Sequence, residues 1–192
     1  MTSQPAAAHA ATTEDFSHNL AAVRERIARA ARSVGRDPES VRLLPVTKTI
    51  PAERLRMHLC WGNYPGPHHC DVPLGDIVDL IWRARPHAIQ FEAANPRHAH
   101  EFALFESLPL PEGKVLIPGV IECQSPYIEH PELIAQRIGR YADRVGRDNV
   151  MAGVDCGFSV HVGSDAVDRE VVWAKMAALA QGAAIASKRY WS

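Results

Sequence analysis

The 192-residue sequence lacks an excess of charge of either sign: 21 Lys and Arg stand against 22 Asp and Glu, a formal net charge of −1. A nucleic-acid-binding domain gathers phosphates with a basic surface, so no nucleic-acid partner is expected. No apolar run approaches the roughly 20 residues that a membrane helix needs, and no membrane partner is expected either. There is no Asn-X-Ser/Thr acceptor site. The opening MTSQPAAAHAATTEDF has neither the charged n-region nor the apolar h-region of a secretory leader. Residues 1–13 are expected to form a disordered tail. Cysteine is scarce, at positions 60, 70, 123 and 156, with no Cys-x-x-Cys. That spacing excludes a dense disulfide framework and favours a reducing, cytoplasmic setting in which thiols serve metal or thiol chemistry.

What is present is enough apolar side chain for a core, 46 % of the residues. Charge is unevenly placed. Residues 1–56 carry nine Lys or Arg against six Asp or Glu, and the rest carries twelve against sixteen. The basic part is an arginine-decorated helix, read as a solvated face. Phe16, Leu20, Val23, Ile27 and Ala30 recur at helical spacing, which predicts a helix over Phe16–Ala31 stopped by Gly35. Val41–Lys48 reads as a buried strand ending at a lysine. Pro51–Arg56 reads as the first turns of a helix, with Pro at its start.

From Met57 the pattern becomes four βα units. Strands are predicted at Met57–Trp61, His87–Ala93, Lys114–Ile121 and Asn149–Asp155. Helices are predicted at Leu74–Ala84, His98–Ser107, Pro131–Val145 and Asp168–Ser187. Alternating strands and helices predict an α/β fold with a parallel sheet. Five strands cannot close an eight-stranded barrel, so the expected architecture is an incomplete (β/α) TIM-type barrel. Its open sheet edge would invite self-association. Only about nine residues separate Thr47 from Met57, fewer than the roughly 10–12 of a parallel crossover. The strands they bound are therefore not expected to be ordinary parallel neighbours. Ser33-Val34-Gly35-Arg36-Asp37 and Arg144-Val145-Gly146-Arg147-Asp148 look alike, and read as a recurring helix-stop turn.

His58 and Cys60 are two apart on a predicted strand and so share a face, while Met57, Leu59 and Trp61 take the other. Glu92 and Cys156 stand at the ends of two later strands. The C-terminal ends of strands are where barrel enzymes build their sites. His, Cys and carboxylate are zinc ligands, and zinc held by two thiolates and a carboxylate could activate an incoming thiol. The same residues also fit a strand histidine, two buried thiols and a salt-bridged glutamate.

His58-Leu59-Cys60, Phe91-Glu92-Ala93 and Asp155-Cys156-Gly157-Phe158 resemble the three zinc-ligand segments of the cobalamin-independent methionine synthases. Trp61-Gly62-Asn63-Tyr64, Gly66-Pro67-His68-His69 and Glu129-His130-Pro131-Glu132 are more similar to a side branch of that superfamily. That branch includes methionine-synthase-II-type proteins and epoxyalkane:coenzyme M transferases. The resemblance covers Met57 to about Ser187, the C-terminal half of the catalytic barrel. It implies a zinc-dependent thiol alkyl- or methyltransferase acting on a small-molecule thiol and an alkyl donor, as in methionine biosynthesis. His58, Cys60, Glu92 and Cys156 would be the zinc ligands, and His68, His130 and Asp155 substrate contacts. Where the methionine synthases have a histidine before Ser-Pro, this chain has Gln124, which cannot act as an acid in the same way.

A different resemblance attaches to His18-Asn19-Leu20, Gly35-Arg36 and Leu43-Leu44-Pro45-Val46-Thr47-Lys48-Thr49. These look like the start of the pyridoxal-phosphate homeostasis family, over about residues 14–56. The resemblance implies Lys48 as the Schiff-base lysine for pyridoxal 5'-phosphate. The alternative for Lys48 is a strand-end side chain reaching solvent. The chain thus reads as a fusion, with a tail at 1–13, a homeostasis-like segment at 14–56 and a methionine-synthase-like half-barrel at 57–192. A pyridoxal-phosphate carrier and an inactive fusion fragment are the alternative functions. Among the remaining candidates, adjacent His68, His69 and Cys70 diverge too much to share a metal. His98, His100 and Glu101 open a helix and read as solvated. Cys123 reads as packed, and His161 as a substrate neighbour or an exposed residue.

Overall fold

The computed structural model describes residues 13–41, 55–159 and 167–192. The chain divides into two compact units, Met1–Thr49 and Ile50–Ser192. In the first, helix α1 (Thr13–Ser33) is followed by a 3-10 turn at Pro38–Ser40. Gly35 stops α1 with a φ of 69°, and Gly146 ends a later helix with a φ of 87°. Both φ values lie where a Cβ is strained, so the two similar segments are the same helix-stop device. The predicted strand Val41–Lys48, with Lys48, lies outside the described residues beyond Val41.

The second unit is built on four parallel strands in the order β1-β2-β3-β4. They are β1 (Arg56–Leu59), β2 (Ala88–Phe91), β3 (Val115–Ile121) and β4 (Gly153–Val154). Register runs Met57↔Ile89 and Ile89↔Leu116, and it shifts between Gly119 and Ile121 where β3 meets β4. Helices α2 (Leu74–Arg83), α3 (Pro131–Val145) and α4 (Arg169–Tyr190) complete the unit. This is an open half-barrel of α/β class. Among the described residues it has four strands, and the fifth predicted strand falls outside them.

The core follows from the apolar periods. Leu74, Val78 and Ile81 form the buried stripe of α2. Met57, Leu59 and Trp61 of the β1 segment pack with Ile89, Phe91, Phe105, Leu116 and Tyr141. A second cluster joins Val120 and Ile121 to Ile134, Ile138, Ala178 and Ala186. α3 starts and stops as its sequence dictates. His130 Nδ1 accepts the Glu132 amide at 3.1 Å, Pro131 occupies the first turn, and the Gly146 amide closes on Ala142.

Two predicted elements differ. His98–Ser107 is not an α-helix but turns leading into a 3-10 segment, Glu101–Glu106. It lies between Pro96 and Pro109. Its first side chains are committed elsewhere: Glu101 accepts the Leu74 amide at 2.7 Å and faces His98 Nδ1 at 2.9 Å. Three residues per turn put Phe102 and Phe105 on one edge, with Phe105 buried against Trp82, Phe91 and Tyr141. The predicted strand Asn149–Asp155 pairs only at Gly153–Val154 and through a bridge from Val150 to Leu116. A 3-10 turn at Arg147–Asn149 and the shifted register of β3 take up the rest. Arg56, expected to end a helix, begins β1.

Candidate metal centre

Strand parity sets the first two groups. Met57, Leu59 and Trp61 turn toward the core, which leaves His58 and Cys60 exposed on the opposite face. Cys156 follows β4 on a partly buried loop. Across the sheet, His58, Cys60 and Cys156 each present one ligand atom, and these atoms all lie within 4.8 Å of one another. Burial pushes the Cys156 thiol up, and the neighbouring Cys60 and Glu92 push it further. Two thiols this close disfavour a second negative charge unless a cation sits between them.

Glu92 is beside this group but not in it. Its side chain is 3 % exposed. Oε1 accepts the Trp61 amide at 3.0 Å, and Oε2 accepts Asn95 Nδ2 at 2.8 Å and Arg97 Nη2 at 3.1 Å. The structure therefore brings three of the four expected ligands together and holds the fourth in a cradle of nitrogen donors.

The residues expected to contact substrate each make hydrogen bonds within the chain. Asp155 is 1 % exposed. It accepts the amides of Ala93, Ala94 and Asn95, each at 2.8 Å, and Asn95 Nδ2 at 2.9 Å. Burial raises its pKa against the pull of these donors. The carboxylate ties the loop after β2 to the loop after β4. A Cβ on Gly119 would come within 2.0 Å of Asp155 Oδ1, so glycine there is what admits the tie. His68 is engaged locally through both ring nitrogens. Nδ1 lies 3.0 Å from both Asp71 oxygens and Nε2 lies 2.7 Å from the Tyr64 carbonyl. His130 is exposed and spends Nδ1 on capping α3. His98, expected to be solvated, is buried between Glu101 and Asp71 and stacks on Trp61 at 3.8 Å. Lys48 and His161 lie outside the described residues.

Asn63, Gln124 and Cys123, together with Lys175, which the sequence reading passed over, make up the surround. Asn63 Nδ2 donates to the Gly157 carbonyl at 2.6 Å, and its Oδ1 accepts Gln124 Nε2 at 3.0 Å. The buried Cys123 thiol also reaches that oxygen, at 3.4 Å, and burial pushes its pKa up to about 12. Cys123 is thus packed, as expected. Lys175 is fully buried and joins Glu129 at 2.9 Å and the Glu122 carbonyl at 3.0 Å, tying α4 to the loop after β3. A signal for the roles of Asn63, Asn95 and Arg97 existed: all three stand in loops directly after strands, three to five residues from a candidate ligand.

The profile of the cobalamin-independent synthase catalytic domain matches residues 66–180. The chain belongs to that family. Among solved structures, this family member resembles a B12-independent methionine synthase from Shewanella sp. W3-18-1, determined in complex with selenomethionine. The TM-score is 0.54 and the identity 23 %, over 70 % of this chain and 38 % of that one. The likeness is one of fold, and the chain spans well under half of its neighbour. A 41-residue stretch is 51 % identical to the pyridoxal phosphate homeostasis protein of Escherichia coli strain K12, covering 21 % of this chain and 18 % of that protein. The same figures hold for the proteins of E. coli O6:H1 and O157:H7. The chain thus spans about 18 % of the length of these curated relatives. Among the described residues no helix is long and apolar enough to cross a membrane.

Proposed function

We propose that this chain is a zinc-dependent thiol alkyl- or methyltransferase half-barrel, in which His58, Cys60 and Cys156 hold the metal. The observation that carries the reading is the convergence of their three donor atoms within 4.8 Å. Zinc bonds of about 2.0–2.3 Å place tetrahedral neighbours roughly 3.3–3.8 Å apart, so small side-chain rotations suffice. One imidazole and two thiolates suit zinc by softness and by charge. Bound there, zinc supplies the Lewis acidity that keeps a substrate thiol deprotonated yet nucleophilic at neutral pH. The chain's own groups do the rest. The exposed face of β1 gives a small thiol direct access. Asp155 locks two loops so that Cys156 meets Cys60, and the Asn63–Gln124 pair fixes the third. The alkyl donor is a second small molecule.

The family match and the resemblance of the three ligand segments support residues 57–192 as the catalytic half. The 41-residue stretch at 51 % identity supports a second reading, a pyridoxal-phosphate-homeostasis segment read at residues 14–56 with Lys48 as the cofactor lysine, joined near Arg56. Elemental analysis of the purified chain tests the first reading. About one zinc per chain is expected, retained by Cys123→Ser and lost by Cys156→Ser. Zinc-free parent protein, or zinc undiminished in Cys156→Ser, overturns it. An absorbance band near about 400 nm that disappears in Lys48→Ala is the expected sign of the second, as for a lysine-bound cofactor aldehyde. The open sheet is a surface for self-association, tested by sedimentation.

A further inference from the structure

We propose that Asn63 is a positioning residue whose carboxamide clamps the loop after β1 to the loop after β4, and so brings Cys156 up to His58 and Cys60. The use of the clamp rests on the zinc reading above; its geometry belongs to the metal-free chain. β1 and β4 are the two ends of the sheet, with β2 and β3 between them. At about 4.8 Å per strand, a flat sheet would hold these ends roughly 14 Å apart. The donor atoms of His58, Cys60 and Cys156 nevertheless lie within 4.8 Å of one another. Curling of the sheet closes part of that distance, and the loops must hold the remainder. Asp155 does not span it, because its carboxylate ties the β4 end to the loop after β2. Asn63 does. It stands three residues after Cys60. Its Nδ2 donates at 2.6 Å to the carbonyl of Gly157, the residue after Cys156, and lies 3.5 Å from the Ser159 carbonyl oxygen.

The other end of the carboxamide is anchored on a third loop. Oδ1 accepts Gln124 Nε2 at 3.0 Å and the Cys123 thiol at 3.4 Å. That loop is itself held, since the amides of Gln124 and Ser125 both donate to the Glu122 carboxylate at 2.7 Å. A carboxamide carries a donor and an acceptor at one tip. Turned over, it would set Oδ1 against the Gly157 carbonyl and Nδ2 against the Gln124 donor, so the observed orientation is the one the contacts enforce. Metal-ligating side chains have to be kept within about 0.5 Å of their working geometry by hydrogen bonds around them. For Cys156, on a partly buried loop at the far end of the sheet, Asn63 supplies that support from the side of Cys60.

The test uses the full chain and two readouts. Zinc affinity is measured by chelator competition. In the metal-free chain, closure of a Cys60–Cys156 disulfide by diamide is timed by peptide mass mapping; two thiol hydrogens pass to the diamide and one S–S bond forms. That rate reports the approach of the two sulfurs with no metal present. Asn63→Ala should weaken zinc binding about tenfold, the scale for partners outside the ligand shell. It should slow disulfide closure by a similar factor, while the metal-free urea midpoint stays near the parent's. Asn63→Asp keeps an acceptor for Gln124 and sets a second oxygen against the Gly157 carbonyl. Its added negative charge would by itself favour a cation, so weaker zinc binding in this variant isolates the lost donor. The proposal is overturned if Asn63→Ala keeps the parent's zinc affinity and disulfide rate, or if Asn63→Asp binds zinc more tightly. It is equally overturned if the urea midpoint of Asn63→Ala falls far enough to account for the lost zinc, since Asn63 would then serve the fold as a whole. A parent chain that binds no zinc sinks the zinc reading, and the disulfide rates of parent and Asn63→Ala then decide the clamp alone.

Discussion

The two faces of the half-barrel sheet are built on opposite terms. Toward the helices, Ile89, Leu116 and Ile134 are 1 %, 0 % and 0 % exposed. Phe91, Phe105 and Tyr141 meet there with ring centroids 5.7–6.1 Å apart. On the other face β1 offers His58 and Cys60 to solvent. Four residues of one strand alternate between the two environments, because successive side chains point to opposite sides. The helix face supplies the burial that makes the unit fold. The open face can then keep reactive groups unpacked, held in place by loop contacts rather than by a core.

This separation can be broken from either side. Ile134→Ala removes a fully buried side chain from the α3–α4 contact and should cost about 2–5 kcal/mol in urea unfolding. Its zinc stoichiometry should match the parent where the protein is folded; loss of zinc in step with stability would show the faces to be coupled. From the other side, Cys156→Ser replaces a thiolate with a poor ligand. It should weaken zinc binding by about a hundredfold, or about 2.7 kcal/mol, while the metal-free unfolding midpoint moves little. Asp155→Asn tests the tie between the loops. An amide has one acceptor oxygen for a site that presents three backbone amides and Asn95 Nδ2. The orphaned donors should cost about 1–3 kcal/mol, with weaker zinc binding as Cys156 loses its register against Cys60.

How much of this was legible in the sequence follows from the range of the interactions. α3 was readable at both ends, Pro131–Val145, because its cap, its first-turn proline and its stop glycine are local. The facing of His58 and Cys60 was readable because parity is local too. The 3-10 segment at Glu101–Glu106 was not, because Glu101 is spent on the Leu74 amide, a partner distant in sequence. β4 was overextended because its pairing depends on the register of β3. The same limit applied at the site. The candidate ligand segments announce themselves by residue type and strand position. Whether Glu92 points at the thiols or at Arg97 depends on how the loops after β1 and β2 fold together. The contacts of His68, His130 and Asp155, read as substrate neighbours, were hidden for the same reason, since each side chain is held by a nearby loop or helix end.

The smallest expected effect lies in the polar layer between the two faces, at His98. Burial by itself lowers the pKa of this imidazole. The contact with Glu101 at 2.9 Å, the charge of Glu92 and the contact with Asp71 at 3.4 Å outweigh it and hold the pKa above the ordinary 6.5. Asp71 responds in kind: burial raises its carboxyl, but His68, His98 and Arg97 bring it below the usual 3.8. A basic group with a raised folded-state pKa binds its proton more tightly in the folded chain. Its stabilisation is fully present below pH 6.5 and is lost as pH rises through the folded value. Urea midpoints of the metal-free parent should therefore fall as pH is raised from 6.5 through that value. His98→Gln should keep contacts to Glu101 and Asp71 through its amide while losing the titration. Its midpoint should be lower than the parent's at pH 6.5, and the difference should shrink as pH rises. A constant difference across that window would mean that His98 holds the Trp61 stack by shape alone and carries no charge between the loops.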